Sequence, residues 1–267
     1  MTFGQRLTYW GHIFEKLMTF FWFGLGSLFL ATVLFPTLYL LSGFSKKRFG
    51  RWARMSVHLA HKLAIWQLVF FRCINFRVEH RERLEGLKSK VIVANHPSLL
   101  DVVILFSLIP NADCIVKGSL GKNGFVRGIV NAIYIVNSKT FENQLVETDR
   151  SLKEGNCLII FPEGTRSKPD TRWEFRKGAA RFAIHSKCDV VPIYIGGNEI
   201  VGLRKHDKLL SFNPTDRYHY YLDVLEPISI DKYIEYPTGQ GAALLTEKMQ
   251  QVLETRRELD PERPKWT

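Results

Sequence analysis

Cysteine is scarce in this chain of 267 residues, and the positions of its four cysteines exclude one common kind of site. They are widely separated, so no pair has the spacing of metal ligands. Each lies in or beside an apolar run, so we expect buried free thiols, which suit a reducing compartment. The four are Cys73, Cys114, Cys157 and Cys188.

Two further patterns are missing from the sequence. No Gly-x-Ser-x-Gly pentapeptide occurs, which argues against the nucleophile elbow of a serine α/β hydrolase. His58 and His61 could share a metal ion, but no third ligand pattern accompanies them, and the polar face of an amphipathic helix explains them more simply. The sequence therefore predicts neither a serine hydrolase nor a metal centre.

Acidic residues are nearly missing from the first third of the chain. Residues 1–90 contain 14 Lys+Arg and 4 Asp+Glu, whereas the remainder contains 23 and 22. Nearly all of the net charge of +11 is therefore N-terminal. A basic protein can bind nucleic acid, but no aromatic–basic recognition motif is present. Because the charges flank apolar segments, we expect membrane lipid as a partner and no nucleic acid.

Charge of either sign is absent from residues 17–45. This apolar run exceeds the roughly 20 residues that a bilayer-spanning helix needs. Its length and the lack of a clear small-x-small site argue against a cleaved signal peptide. Pro36 should kink or end the helix. The basic residues from Lys46 to Arg54 follow directly, so that end is predicted to be cytoplasmic.

A second apolar stretch covers residues 63–74 and is interrupted by Gln67 and Arg72. It is too short to span with confidence and is typical of an interfacial or partly buried helix. Two arrangements stay open: residues 17–41 span once, or both stretches form a helical hairpin in one leaflet. In either case residues 1–75 are a predicted membrane-embedded anchor, and residues 76–267 form a domain on the cytoplasmic side.

Short apolar runs alternate with amphipathic helical stretches from residue 75 onward. This alternation predicts an α/β fold, a mixed sheet covered by helices. The predicted strands are 74–79, 90–94, 112–116, 132–136, 157–161, 189–195 and 218–225. The predicted helices are 97–109, 123–131, 140–154, 175–187 and 240–257. Tyr218, Tyr220 and Tyr221 fall in the last strand, where we expect them to pack rather than form a site.

Residues 95–101 read Asn-His-Pro-Ser-Leu-Leu-Asp and follow a buried strand. His96 is predicted to lie where that strand ends, with Asp101 about one turn into the next helix and Pro97 in its first turn. A histidine oriented by a carboxylate is a general base near neutral pH. The alternative is a helix-capping Asn95 beside a bystander histidine. The segment alone leaves both open.

A second polar turn follows the strand at 157–161. Residues 161–167 read Phe-Pro-Glu-Gly-Thr-Arg-Ser, and the proline and glycine force a sharp turn. Glu163 and Arg166 are then displayed at a strand end, where open α/β sheets place ligands. The planar fork of an arginine suits a phosphate. A solvated ion pair on one turn is common, but two polar turns after two apolar strands favour a site.

Together these motifs resemble the glycerolipid acyltransferase family, notably the 1-acylglycerol-3-phosphate (lysophosphatidic acid) acyltransferases. Asn-His-x4-Asp and Phe-Pro-Glu-Gly-Thr-Arg-Ser stand intact and in the family's order. Residues 117–120 resemble the start of a further block, and residues 190–196 resemble another. The resemblance covers roughly residues 75–225, and it favours the helical hairpin for the anchor.

The resemblance implies transfer of a fatty acyl group from a thioester, carried by CoA or acyl carrier protein, to a lysophospholipid hydroxyl. No bound cofactor or metal is implied. The catalytic base would be His96, held by Asp101. The acceptor phosphate would be bound by Glu163, Gly164, Thr165, Arg166 and Lys117, and Pro192 would line the acyl or donor path. The oxyanion donors would be backbone N–H groups after Ala94 or around Gly164. A bacterial inner membrane is the expected location.

One departure from the family concerns the acceptor. The resemblance implies a glycine before the strand at 132–136 and an arginine after it, which helps to hold the acceptor phosphate. Here Asn131 stands about where the glycine would be, and Asn137 and Ser138 follow the strand. Lys139 is the nearest basic residue. The acceptor is therefore less defined than the reaction.

Three alternatives remain at this stage. The same base could activate water and hydrolyse a thioester or lipid ester. The acceptor could be another lysolipid or a hydroxylated acyl compound. A non-catalytic lipid-binding protein could use the same scaffold, although such a protein would be expected to lose His96 or Asp101.

Overall fold

The computed structural model describes residues 2–71, 73–116, 134–136, 140–167, 172–197 and 218–260. The helices are α1 Phe3–Phe29, α2 Phe35–Leu41, α3 Lys46–Phe70, α4 Asp101–Leu108, α5 Phe141–Lys153, α6 Gly178–Ser186, α7 Asp231–Ile234 and α8 Thr238–Glu258. The strands are β1 Ile74–Glu79, β2 Val91–Ala94, β3 Ala112–Val116, β4 Tyr134–Val136, β5 Cys157–Ile160, β6 Val190–Gly197 and β7 Tyr218–Val224. A π-helical turn covers Leu30–Leu34, and a 3₁₀ helix covers Arg81–Leu84.

The seven strands form one sheet in the order β1-β7-β6-β2-β5-β3-β4. Strands β6 and β7 pair antiparallel, whereas the other neighbours are parallel. The predicted mixed α/β sheet is thus confirmed. Strands β2 and β5 are central and buried on both faces, which explains their uninterrupted apolar sequences. Their carboxyl ends lie at the same sheet edge.

Helices cover both faces of the sheet. On one face, α3 and α4 contribute Val57 and Ile104 to a core shared with Ile92. On the other face, Ala180 of α6 and Leu245 of α8 pack in a core with the neighbouring strand residues of β2 and β5. Because side chains alternate along a strand, successive residues of β2 contribute to the two cores in turn.

The N-terminal helix continues through Pro36, where the sequence predicted that it would kink or end. Residues Phe3–Leu41 form a helix long and apolar enough to cross a membrane, and little of it is buried in the protein. Pro36 does not end it. The π-helical turn just before Pro36 shifts the backbone pairing, so that Phe35 N–H donates to Leu30 O. A wider turn of this kind accommodates a residue without an N–H group.

Helix α3 packs against α4 through side chains that the sequence placed on a solvated face. His61 is 7% exposed, with Nδ1 2.8 Å from Val57 O, and its ring faces that of Phe106. His58 Nδ1 lies 2.9 Å from Phe106 O. The two histidines therefore face α4 rather than forming a solvated helix face, which corrects that expectation.

A buried ion pair joins α3 to the sheet. Arg54 is one of the basic residues after the apolar run, yet its Nε and Nη2 donate to the two carboxylate oxygens of Asp113 on β3, at 2.7 and 2.8 Å. The two side chains are 13% and 4% exposed. Ser151 on α5 also donates to Asp113. This arginine is therefore not available to lipid headgroups.

The cysteine prediction is confirmed, since all four cysteines are buried and free. The helix predicted at 97–109 begins only at Asp101, and the helix predicted at 123–131 lies outside the described residues. The short helices Arg81–Leu84 and Asp231–Ile234 were missed because four residues carry no periodic signal.

Candidate active site

The loop after β2 is fixed at its first residue. The side-chain amide of Asn95 donates to Ile195 O at 2.7 Å, and its oxygen accepts from Ile195 N at 2.8 Å. Asn95 is 2% exposed, so these bonds replace a rung of backbone pairing between β2 and β6. Asn95 therefore pairs with a strand instead of capping a helix.

His96 and Asp101 are in direct contact. His96 Nδ1 lies 2.7 Å from Asp101 Oδ2, and the two side chains are 17% and 0% exposed. Since the ionised carboxylate can only accept, Nδ1 carries the proton and Nε2 is left as the basic nitrogen. Phe161 stacks on the imidazole, with ring centroids 4.2 Å apart. The ring is thus held on one face and at one nitrogen.

Asp101 is the first residue of α4, where the helix dipole favours a negative charge. The helix starts later than predicted because residues 97–100 form a tight turn whose polar groups bond to this carboxylate. Ser98 N–H donates to Asp101 Oδ2 at 2.8 Å, and Ser98 Oγ donates to Oδ1 at 2.7 Å. Proline therefore lies in this turn and not in the helix.

Tyr220 also reaches this carboxylate, which the sequence did not predict. Its hydroxyl lies 3.3 Å from Asp101 Oδ1 and bonds to Ser98 Oγ. Tyr220 was expected only to pack. The contact joins residues 119 positions apart, and nothing in the local sequence of β7 indicates it.

The second predicted turn closes over the first. Ser167 N–H donates to His96 O at 2.7 Å, and His96 N–H donates to Glu163 Oε1 at 3.0 Å. Ser167 Oγ donates to the same Glu163 oxygen at 2.6 Å. Gly164 has φ +68°, which lets the chain turn sharply between these contacts. The two motifs are thus one hydrogen-bonded unit at the carboxyl edge of β2 and β5.

Glu163 was predicted to position the acceptor headgroup, but its Oε1 binds the protein itself. Burial raises the pKa of Glu163 above its ordinary value, although the hydrogen bonds from Ser167 and the His96 backbone lower it. The position of this carboxylate makes it a bridge between the two loops. The predicted role at the acceptor stays a prediction.

Two arginines lie at the turn. Arg166 and Thr165 are partly exposed, as a residue that meets a ligand must be. Arg176, which the sequence did not indicate, is exposed, and its backbone N–H donates to Pro162 O at 2.9 Å. A Cβ at Gly164 would lie 3.2 Å from the Arg176 guanidinium carbon. The absence of a side chain at Gly164 therefore lets this guanidinium approach the turn.

Two predicted site residues are not seen at the two loops of the described structure. Lys117 is outside the described residues, as are Asn131 and 137–139. Pro192 is buried in β6, paired with Val93 of β2, on the sheet face covered by α6 and α8. Its part in an acyl path stays a prediction.

Several backbone N–H groups considered as oxyanion donors already have acceptors inside the protein. Gly164 N–H donates to Phe161 O at 3.0 Å, and His96 N–H donates to Glu163. In the first loop, Ser98 N–H donates to Asp101 and Leu100 N–H donates to Ser98 Oγ. These four N–H groups are therefore poor candidates for an oxyanion hole.

Within the described ranges, one group of side chains has the geometry to hold a metal ion, and it lies away from the two loops. Glu79, His80 and Asp223 place ligand atoms within 4.8 Å of one another, near the carboxyl ends of β1 and β7. Because β7 runs antiparallel to β6, this is the opposite edge of the sheet. Arg256 Nε lies 2.5 Å from Asp223 Oδ2, so a cation already balances the group.

Comparison with known proteins points to one family. Residues 75–196 match the model of the acyltransferase family. A 1-acyl-sn-glycerol-3-phosphate acyltransferase of Chlamydomonas reinhardtii is 30% identical over 194 residues, which are 68% of this chain and 55% of the relative. The human 1-acyl-sn-glycerol-3-phosphate acyltransferase beta is 28% identical over 132 residues, which are 46% and 47% of the two chains. The chain thus spans about half the length of these relatives.

The overall fold has a solved counterpart. The crystal structure of the 1-acyl-sn-glycerophosphate acyltransferase of Thermotoga maritima matches with a TM-score of 0.62. The match covers 95% of this chain and 99% of that chain, at 22% sequence identity. At this identity the likeness supports the fold alone.

Proposed function

Because the chain belongs to the acyltransferase family through its domain at residues 75–196, we propose that it transfers a fatty acyl group from a thioester to a lysophospholipid hydroxyl. The preferred acceptor is 1-acylglycerol-3-phosphate, which would yield phosphatidic acid. The observation that carries the proposal is the His96–Asp101 pair at the carboxyl edge of the sheet.

The chemistry needs one base. The acceptor hydroxyl attacks the thioester carbonyl and gives its proton to His96 Nε2, while Asp101 stabilises the imidazolium. The tetrahedral intermediate then collapses, the C–S bond breaks, and the departing thiolate takes the proton from the His96 imidazolium to leave as the thiol. The acyl group is already activated in the thioester, so this route involves no covalent enzyme intermediate. The proposed co-substrate is acyl-CoA or acyl carrier protein, with no bound cofactor.

The acceptor phosphate is proposed to bind at the turn formed by residues 162–167. Arg166 offers a planar pair of donors, and Arg176 adds a second positive charge at Gly164. Since the arginine implied after residue 136 is absent from the sequence, a second arginine from another part of the chain would restore the charge.

We further propose that the protein is bound to the membrane with the site on the cytoplasmic side. The helix Phe3–Leu41 supports insertion. Helix α3 adds an exposed apolar stripe at helical spacing that includes Leu59, Leu63 and Trp66, which are 56%, 62% and 59% exposed. Its N-terminal turn is basic, as expected beside anionic headgroups. Lysolipids could then reach the site without leaving the leaflet.

A transfer assay with matched histidine variants tests the proposal. Full-length protein in anionic vesicles would receive labelled acyl-CoA or acyl carrier protein and a panel of lysolipids, with the product mass measured. His96→Ala should lose roughly 10²–10⁴-fold in rate. His80→Ala is the control, because its Nδ1 also lies 2.7 Å from a carboxylate, Asp223, at the other sheet edge.

Three outcomes would contradict the proposal. Normal turnover by folded His96→Ala would show that His96 is not the catalytic base. Release of free fatty acid in place of lipid product would indicate a hydrolase. Binding of lysolipid without any turnover would indicate a lipid-binding protein.

A further inference from the structure

The hydroxyl of Tyr220 lies buried behind the site, on the side of Asp101 away from His96. Tyr220 is 3% exposed and comes early in β7, where its backbone pairs with Gly197 of β6. A Cβ at Gly197 would lie 1.8 Å from His219 O, so the glycine permits the close approach of the two strands there. The pairing of β7 with β6 therefore places the Tyr220 hydroxyl beside Asp101, from a strand outside both sequence motifs.

The direction of the hydrogen bonds follows from the groups involved. Ser98 Oγ has one proton, which it gives to Asp101 Oδ1 at 2.7 Å, and it accepts from Leu100 N–H at 3.0 Å. It can accept one further hydrogen bond, and the ionised carboxylate can only accept. Tyr220 must therefore donate, to Ser98 Oγ and more weakly to Asp101 Oδ1.

Both oxygens of Asp101 are consequently supplied with donors. Oδ2 accepts from His96 Nδ1 and Ser98 N, and Oδ1 accepts from Ser98 Oγ and Tyr220. A donor on Oδ1 withdraws negative charge from the carboxylate, so less remains at Oδ2 to stabilise a protonated imidazole. It also holds the plane of the carboxylate against the ring.

We infer that Tyr220 is a positioning residue for His96, which acts through Ser98 and Asp101 to set the basicity and orientation of the imidazole. The inference rests on the proposed acyl transfer for its kinetic meaning. It makes β7 part of the catalytic apparatus, through a side chain that contacts Asp101 and Ser98.

Tyr220→Phe removes the donor and keeps the ring. The carboxylate then holds more charge, so the His96 imidazolium is favoured and the acidic limb of the kcat/KM profile moves to higher pH, by roughly 0.5–1 unit for one neutral hydrogen bond. The kcat at neutral pH should fall by roughly threefold to tenfold, with the KM of both substrates unchanged. Ser98→Ala should shift the limb in the same direction.

Tyr194→Phe is the matched control. Tyr194 is also a buried tyrosine, on the adjacent strand β6, and its hydroxyl donates to a carboxylate, Asp260, at 2.8 Å. Its loss should leave the pH profile in place even if it lowers the melting temperature. A folded Tyr220→Phe protein with the wild-type pH profile would overturn the inference.

A second measurement separates this inference from the proposed function. The imidazole of His96 can be titrated by NMR in protein labelled at histidine, with His96→Ala used for assignment. If the wild type proves inactive in acyl transfer, the proposed function fails, yet the titration still decides the role of Tyr220. An equal His96 pKa in wild type and Tyr220→Phe would refute the coupling, whereas a higher pKa in the variant would support it.

Discussion

Replacing Arg54 with methionine is expected to leave Asp113 without its counter-ion in a dry part of the protein. The two side chains meet through both carboxylate oxygens and are 13% and 4% exposed. Ser151 alone would then donate to the carboxylate. Methionine keeps most of the length of the arginine stem, so the change removes the charge with little loss of packing.

The expected cost follows from the burial of the pair. Breaking a buried ion pair by removing one partner typically costs about 3–5 kcal/mol, because an uncompensated charge stays buried. For a chain of this size that corresponds to a fall in Tm of about 10 °C. The double variant Arg54→Met/Asp113→Asn removes both charges, so it should be more stable than Arg54→Met alone.

The assay is thermal unfolding of the full-length protein in detergent, followed by tryptophan fluorescence. Lys153→Met is the control, since Lys153 pairs with Asp149 at 2.7 Å but is 72% exposed. Loss of such a surface pair should cost about 1 kcal/mol or less. A Tm for Arg54→Met within 2 °C of the control, or a double variant whose loss equals the sum of the single ones, would refute the reasoning.

Four further outcomes are expected. Glu163→Ala should destabilise by about 1–3 kcal/mol, since it removes the acceptor of Ser167 Oγ and leaves the His96 N–H only a 3.3 Å bond to Ser167 Oγ, whereas Glu163→Gln keeps an acceptor. Burial raises the pKa of Glu163 in the folded protein, so the folded form holds the carboxyl proton more tightly than the unfolded form does. The free energy of unfolding of the wild type should therefore fall as pH rises from the ordinary pKa of a glutamate to the raised pKa. Denaturation curves of Glu163→Gln should not show this fall. Arg166→Ala should raise acceptor KM more than donor KM, and Arg166→Lys should recover little; an unchanged acceptor KM would make Arg166 structural. High salt alone should not extract the protein from membranes, and its release would disprove insertion of residues 3–41.

The parts of the fold that could be predicted are those that depend on a local sequence pattern. Strands β2 and β5 were found because each is a short apolar run between polar turns and is buried throughout. Strand β1 was found from apolar residues at alternate positions. The two polar turns were recognised because each directly follows one of the apolar strands β2 and β5. Their meeting at one edge follows from parallel strands, although the sequence does not say that Glu163 would bind the backbone of His96.

The parts that were missed depend on long-range pairing or on competing local effects. Arg54 was assigned to headgroups because its partner Asp113 is 59 residues away. Tyr220 was assigned to packing because its hydroxyl is useful only once β7 lies beside β6. The start of α4 was placed too early because the polar groups of Ser98 bond to Asp101 in a turn that precedes the helix. The continuation of the helix through Pro36 was missed because a π-helical turn leaves no mark in composition.

The position of β7 has a consequence for the order in which a nascent chain acquires its parts. Strand β1 pairs with β7, with Ile74 opposite Tyr218, and among the described strands β7 is its one neighbour, so β1 stays unpaired until residues 218–224 have been made. Both motif loops emerge well before that moment. A chain stopped ahead of residue 218 would therefore carry His96 and Asp101 with two unpaired strand edges, and such edges invite aggregation. Translation of residues 218–224 both joins β1 to the rest of the sheet and supplies the Tyr220 hydroxyl that contacts Asp101.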